Sequence, residues 1–155
     1  LILIDTMGPI REALAAARAA AGRALPFMVS FVTREDGRLL GGDSLRDALA
    51  AIEPFAPLAV GLNCIPPRGI TAQLPALRRL TSRPLIVYGH IGNARPTPGW
   101  SFAEEMTPAD YANVAERWRA AGAAVVGGCC GTAPAHVAES ARRLGGCDAS
   151  RGGRI

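Results

Sequence analysis

Five short apolar runs, at residues 1–4, 27–31, 58–62, 85–88 and 123–126, punctuate this chain, and none alternates cleanly between apolar and polar positions. A strand with one face in water alternates with a period of two, whereas a strand covered on both faces reads as continuous apolar sequence. Segments of helical character separate the runs. An Ala-rich stretch over about 9–23 has Pro9 in its first turn, where a missing N–H costs nothing. Asp43 or Ser44 caps a second helix reaching about 55, and a third covers about 71–80, beyond the turn-prone Pro66-Pro67-Arg68-Gly69. Thr107, with Asp110 at the capping-box position, opens a fourth that ends near 121–122. Thr132 opens a fifth, reaching about 144. Strand–helix alternation of this kind predicts an α/β fold around a parallel sheet.

Two architectures satisfy it, an open doubly wound sheet and a (β/α) barrel. Asp5, Ser30, Asn63-Cys64, Tyr88 and Cys129-Cys130 fall at the C-terminal end of one run after another. A barrel converges every strand end on one axis, whereas an open sheet gathers its ligands at a single switch point. The distribution favours the (β/α)8 TIM-barrel type. A full barrel has eight strands, and about five are visible, so the chain reads as the last five strand–helix units of one. Residues 1–147 are assigned to that part-barrel and 148–155 to a flexible tail. The chain does not begin with Met and its first residues already read as a buried strand, which suggests a truncated or fragmentary sequence.

At 155 residues and 49% hydrophobic, the chain has material for one ordinary core and is not disordered. The net charge is +4, and every one of the 17 basic residues is Arg. They are scattered, with only Arg78-Arg79 and Arg142-Arg143 adjacent, and neither pair is interleaved with aromatics. That argues against a nucleic-acid surface. The apolar runs are too short to span a bilayer. Four cysteines without a signal peptide point to the reducing cytoplasm.

Three of those cysteines are placed for chemistry. Cys129 and Cys130 are adjacent within Gly127-Gly128-Cys129-Cys130-Gly131-Thr132, and Cys64 follows another apolar run in Gly61-Leu62-Asn63-Cys64. Adjacent residues are awkward partners for a disulfide, which wants Cα atoms roughly 4.4–6.8 Å apart. Two thiolates side by side suit a soft metal, and a third leaves one position of a tetrahedral zinc shell open. The pair also precedes a helix, whose N-terminal dipole lowers thiol pKa. Redox chemistry is the main competitor, but Cys-x-x-Cys spacing is absent. Cys147 reads as a small hydrophobe. His90 and His136 are poor ligand candidates, one in an irregular loop over 89–106 and the other on an outer helix.

Gly-Gly-Cys-Cys-Gly-Thr before Ala-Pro-Ala-His-Val, with Gly-Leu-Asn-Cys two strand–helix units earlier, resembles the zinc-dependent homocysteine S-methyltransferase family. The likeness runs through nearly the whole chain and includes Ile4-Asp5-Thr6 and the loop 37–44. It implies Zn²⁺ held by Cys64, Cys129 and Cys130, with homocysteine and a small-molecule methyl donor as substrates and methionine as product. It places Asp5, Thr6, Asn63 and Tyr88 at the substrate, Asp5 meeting the ammonium group. Three of them have a structural alternative: a helix N-cap for Asp5, an Asx-turn or a brace of the Cys64 loop for Asn63, a core tyrosine for Tyr88. Trp100 reads either as a shield over the donor or as loop packing. The chain departs from the family in carrying Asp5 where Glu is usual, and in Tyr88-Gly89-His90-Ile91-Gly92-Asn93, which keeps only the Tyr and one Gly of the family's loop. The family's early Asp-Gly motif is also missing, as if three strand–helix units were absent. The short stretch after the cysteine pair favours S-methylmethionine or S-adenosylmethionine over a betaine or methylfolate donor. The competing expectation is an inactive, truncated half barrel that still binds zinc.

Overall fold

The computed structural model of the chain describes residues 1–23, 25–92 and 106–145. Five strands, β1 (Ile2–Met7), β2 (Phe27–Phe31), β3 (Ala59–Asn63), β4 (Leu85–Gly89) and β5 (Ala123–Gly128), form one sheet in sequence order, each parallel to the next. Helices α1 (Ile10–Ala21), α2 (Leu45–Ile52), α3 (Pro67–Leu80), α4 (Pro108–Ala120) and α5 (Pro134–Arg143) occupy the intervals and the C-terminal side, with a single 3₁₀ turn at Glu53–Phe55 after α2. Right-handed crossovers that always step the same way along a sheet place their helices on the same face. The core shows this arrangement. Ile4, Val29, Leu62 and Val87 pack with Ala17 of α1, Ile52 of α2, Leu74 of α3 and Trp118 of α4 in one cluster. Among the described residues the second face holds only a small cluster of Ala59, Ile86 and Tyr88, with Met28 and Cys129 against it and no helix residue among them.

Local chemistry explains where the helices start. Ser44 caps α2 and Thr107 caps α4 by accepting from the Asp47 and Asp110 amides, and each hydroxyl donates back to that carboxylate. Three starts differ from the sequence expectation. Pro9 occupies the cap position of α1 rather than its first turn, and the exposed Ile10 amide is satisfied by Asp43 Oδ2 at 2.8 Å, from the loop before α2. Asp5 therefore is not the cap of α1. Pro66 and Pro67 do not make a turn ahead of the third helix: Pro66 is its cap and Pro67 its first residue, positions suited to a ring that fixes φ and lacks an N–H. The last helix begins at Pro134 with Ala133 as cap, and the Thr132 hydroxyl instead donates to the Cys129 carbonyl at 2.6 Å.

Cys147, the tail 148–155, Asn93 and Trp100 lie outside the described residues. No helix among the described residues is long and apolar enough to cross a membrane.

Candidate metal centre

The C-terminal ends of β3, β4 and β5 are stitched together past their regular pairing. Cys64 N donates to Tyr88 O at 3.1 Å, Cys129 N to Gly89 O at 3.2 Å, and Ile91 N to Cys130 O at 2.9 Å. These bonds bring the two cysteine-bearing segments to one place. The sulfurs of Cys64, Cys129 and Cys130 all lie within 4.8 Å of one another. Cys130 Sγ is 3.9 Å from Cys64 Sγ and 3.8 Å from Cys129 Sγ. A tetrahedral zinc ion with Zn–S bonds of about 2.3 Å separates its sulfur ligands by about 3.8 Å. The donor set and its spacing fit zinc, and all three thiols are partly exposed, as entry of an ion requires. Among the described residues no histidine or carboxylate joins the cluster.

Backbone conformation sets this geometry. Cys64 has a left-handed φ of 54°, uncommon for a residue with a side chain, which turns its sulfur away from the strand path. Gly131 has φ 83°, and a Cβ there would lie 2.8 Å from Gly92 N. A Cβ on Gly128 would lie 2.4 Å from Thr132 Oγ1. The glycines around the pair are thus required by close contacts and by a left-handed turn.

Without metal, Cys64 and Cys129 hold their protons. Burial, reinforced by the two neighbouring thiols, pushes Cys64 up to about 12, and burial also raises Cys129. The helix-dipole expectation pointed the other way. It is corrected by position, since the helix begins at Pro134, well past the pair.

Four strand-end residues form a directed hydrogen-bond network beside the sulfurs. Thr6 N can only donate, and it donates to Asn63 Oδ1 at 3.0 Å, which fixes the orientation of the amide. Asn63 Nδ2 therefore donates to Thr6 Oγ1 at 2.7 Å, and Ser30 Oγ donates to Asn63 Oδ1 at 2.8 Å. The Ser30 oxygen is left to accept from the Tyr88 hydroxyl. Asn63 is completely buried, and its amide ties Thr6 and Ser30 to the end of β3 through these long-range bonds rather than closing an Asx-turn. Tyr88 is similarly enclosed: its ring packs against Cys129, and burial, with a further push from the Asp5 charge and the thiols, raises its ionisation. Asp5 and Thr6 are exposed at the end of β1. His90 stays outside the sulfur cluster, and burial lowers its pKa.

Sequence reasoning overlooked two contributors. Ser30 was visible only as a strand-end residue. Tyr111 reads as helix core by its period, yet its hydroxyl reaches Gly89 and Gly127 of the sheet. Only the distance between chain segments reveals it, and no local motif marks it. His136, placed on an outer helix by its period, is 1% exposed.

A one-way parallel α/β sheet with a three-thiol cluster at its strand ends defines the class of protein: an α/β protein whose strand ends carry a candidate site for a soft metal ion. The homocysteine S-methyltransferase family model matches residues 1–144, and the chain belongs to that family. It is 38% identical over 130 residues to the homocysteine S-methyltransferase of Escherichia coli, covering 82% of this chain and 41% of the relative. It is 30% identical over 123 residues to a selenocysteine Se-methyltransferase of Brassica oleracea, covering 77% of this chain and 36% of that protein. Among solved structures, the metallated form of the homocysteine methyltransferase MmuM from Escherichia coli superposes with a TM-score of 0.75 at 30% identity. That match covers 92% of this chain and 44% of MmuM. The chain spans roughly two fifths of the length of these relatives.

Proposed function

We propose that this chain carries the metal half of an enzyme that transfers a methyl group to the thiol of homocysteine, giving methionine. The observation that supports it best is the sulfur spacing of 3.8 and 3.9 Å at the strand ends, which is the edge of a zinc–thiolate tetrahedron with one corner left over. In this reading the sheet is the larger part of a (β/α) barrel, a proposal supported by its one-way strand order and by helices on one face alone.

Cys64, Cys129 and Cys130 would hold the ion, and Zn²⁺ bound there supplies a Lewis acid that keeps a substrate thiol deprotonated near neutral pH. The substrate sulfur attacks the methyl carbon of the donor. An S–C bond forms as the donor's S–CH₃ bond breaks, and the electron pair returns to the donor sulfur. Nothing in that displacement needs a general base at carbon, so positioning of the two sulfurs carries the rate. Asp5 takes the ammonium group of homocysteine. Thr6 accepts from Asn63 and so keeps its hydroxyl hydrogen to donate to the amino acid. The donor is a sulfonium compound, S-methylmethionine or S-adenosylmethionine. A cytoplasmic setting follows from the need to keep three thiols reduced.

The uncovered second face of the sheet favours one alternative, a zinc-binding half barrel that does not turn over alone. Two measurements separate the readings. Metal analysis of the purified chain is expected to find about one zinc, lost in Cys64→Ser; a metal-free chain at neutral pH sinks the zinc reading. Methionine formation from homocysteine and S-methylmethionine by the zinc-loaded chain supports the enzyme, and zinc without turnover supports the half barrel.

A further inference from the structure

We propose that the Tyr111 hydroxyl is a positioning residue for the cysteine pair, a clasp that presets the sulfur spacing before metal arrives; the proposal rests on the reading of these thiols as a zinc site. Tyr111 lies in the helix layer and is 1% exposed, yet its hydroxyl meets three backbone groups of two strands. It accepts from Gly89 N at 3.1 Å and faces Gly127 O at 2.8 Å and Gly89 O at 3.0 Å. A phenol has one hydrogen, so these two carbonyls share it. Both flank the thiols: Gly127 precedes Gly128-Cys129, and Gly89 O also accepts from Cys129 N.

The need for such a clasp follows from the glycines. Gly127 and Gly128 end a sheet-edge strand with no side chains to pack, and glycine backbone is the least restrained. The cysteine pair would be free to swing if only edge pairing held it. One buried oxygen bridging β4 and β5 removes that freedom. Burial raises the ionisation of Tyr111, which keeps it a neutral donor at working pH.

The far end of the same loop is fixed from the same side. His136 Nδ1 accepts from Ala133 N at 3.0 Å, and the hydrogen this leaves on Nε2 is donated to Met106 O at 3.0 Å. Its ring stands edge-on to Tyr111, with centroids 6.0 Å apart. Residues 127 and 133 are therefore anchored by two packed rings, and the thiols lie between them. A phenylalanine would fill the Tyr111 space equally well, so the hydroxyl is the atom whose role is under test.

The experiment compares the 155-residue chain with Tyr111→Phe and with Thr107→Ala, which weakens the same helix without touching the hydroxyl. Zinc affinity is measured by competition with a chromophoric chelator, and Co²⁺ absorption reports the thiolate geometry. Tyr111→Phe is expected to bind zinc about 10–100-fold more weakly, the usual cost of losing a group that orients ligands, and to broaden the cobalt bands. Thr107→Ala is expected to lose stability while keeping both. Equal affinity and unchanged cobalt spectra in Tyr111→Phe would overturn the clasp while leaving the zinc reading intact. If the unaltered chain binds no zinc, the zinc reading fails first. Should Tyr111→Phe fail to fold, amide exchange in the metal-free unaltered chain decides. The clasp requires Cys129 N–H to be protected as well as the β4 amides, and loop-like exchange there refutes it.

Discussion

Thr6 and Cys64 hold left-handed backbone, with φ of 59° and 54°, a conformation that costs an L-residue roughly 1–2 kcal/mol. Both sit at strand ends beside the sulfurs, and one side chain restrains them: Asn63 precedes Cys64 and accepts from Thr6 N. Replacing Asn63 with Ala removes the acceptor of the Thr6 amide and of the buried Ser30 hydroxyl. Each unsatisfied group costs about 1–3 kcal/mol. Asn63→Ala is therefore expected to lower the urea midpoint clearly and to weaken zinc binding, whereas a role confined to substrate contact would leave both unchanged. The thiols make a second prediction at this scale. Cys64, up to about 12, and Cys129, also raised, keep their protons through neutral pH in the metal-free chain. Zinc must expel those protons, so its apparent affinity rises as pH rises and its binding acidifies a weakly buffered solution. A chelator competition series across neutral pH, paired with a pH-indicator titration, checks both. An affinity independent of pH would mean the thiols are already ionised.

Helix starts separate what the sequence makes legible from what it does not. Ser44 and Thr107 are readable because cap and acceptor lie within one turn of chain. The same locality makes the strand runs readable, since continuous burial leaves its mark residue by residue. Asp43 is not readable in this way. Its carboxylate serves Ile10 N, a residue of the preceding strand–helix unit, and only the folded loop brings them together. Asp43, and not Asp5, thus supplies the carboxylate at the start of α1. Asp43→Ala is expected to cost about 1 kcal/mol, the usual worth of a helix cap, whereas Asp5→Asn leaves thermal stability unchanged. Calorimetry of the two variants distinguishes them, and equal losses would restore Asp5 as a structural residue. Cys129 and Cys130 were legible for a different reason: the glycines that flank them mark tight contacts at Gly128 and Gly131. Tyr111, His136 and Ser30 were not, because their partners lie on other elements and their own neighbours look like ordinary core.

The whole molecule is asymmetric across its sheet. Helices cover one face, while on the other Leu3 is 46% and Val125 39% exposed around the small cluster of Ile86 and Tyr88. Among the described residues β1 and β5 each pair on one side only, so two strand edges also lack partners. Exposed parallel edges beside an apolar face are templates for further strands. The sulfur cluster, by contrast, sits at the ends of β3, β4 and β5, strands whose residues pack into the main core. Metal binding and sheet coverage should therefore be separable. The 155-residue chain alone is expected to bind an apolar dye and to scatter more light as its concentration rises, while still taking up zinc at every concentration. Leu3→Lys with Val125→Lys should suppress the dye signal and the association without changing zinc affinity, since Leu3 lies within β1 and Val125 within β5, neither in a thiol-bearing turn. If the double variant lost its zinc, the uncovered face would be part of the metal site. If the unaltered chain stayed monomeric and dark to the dye, the face would already be covered by residues outside those described.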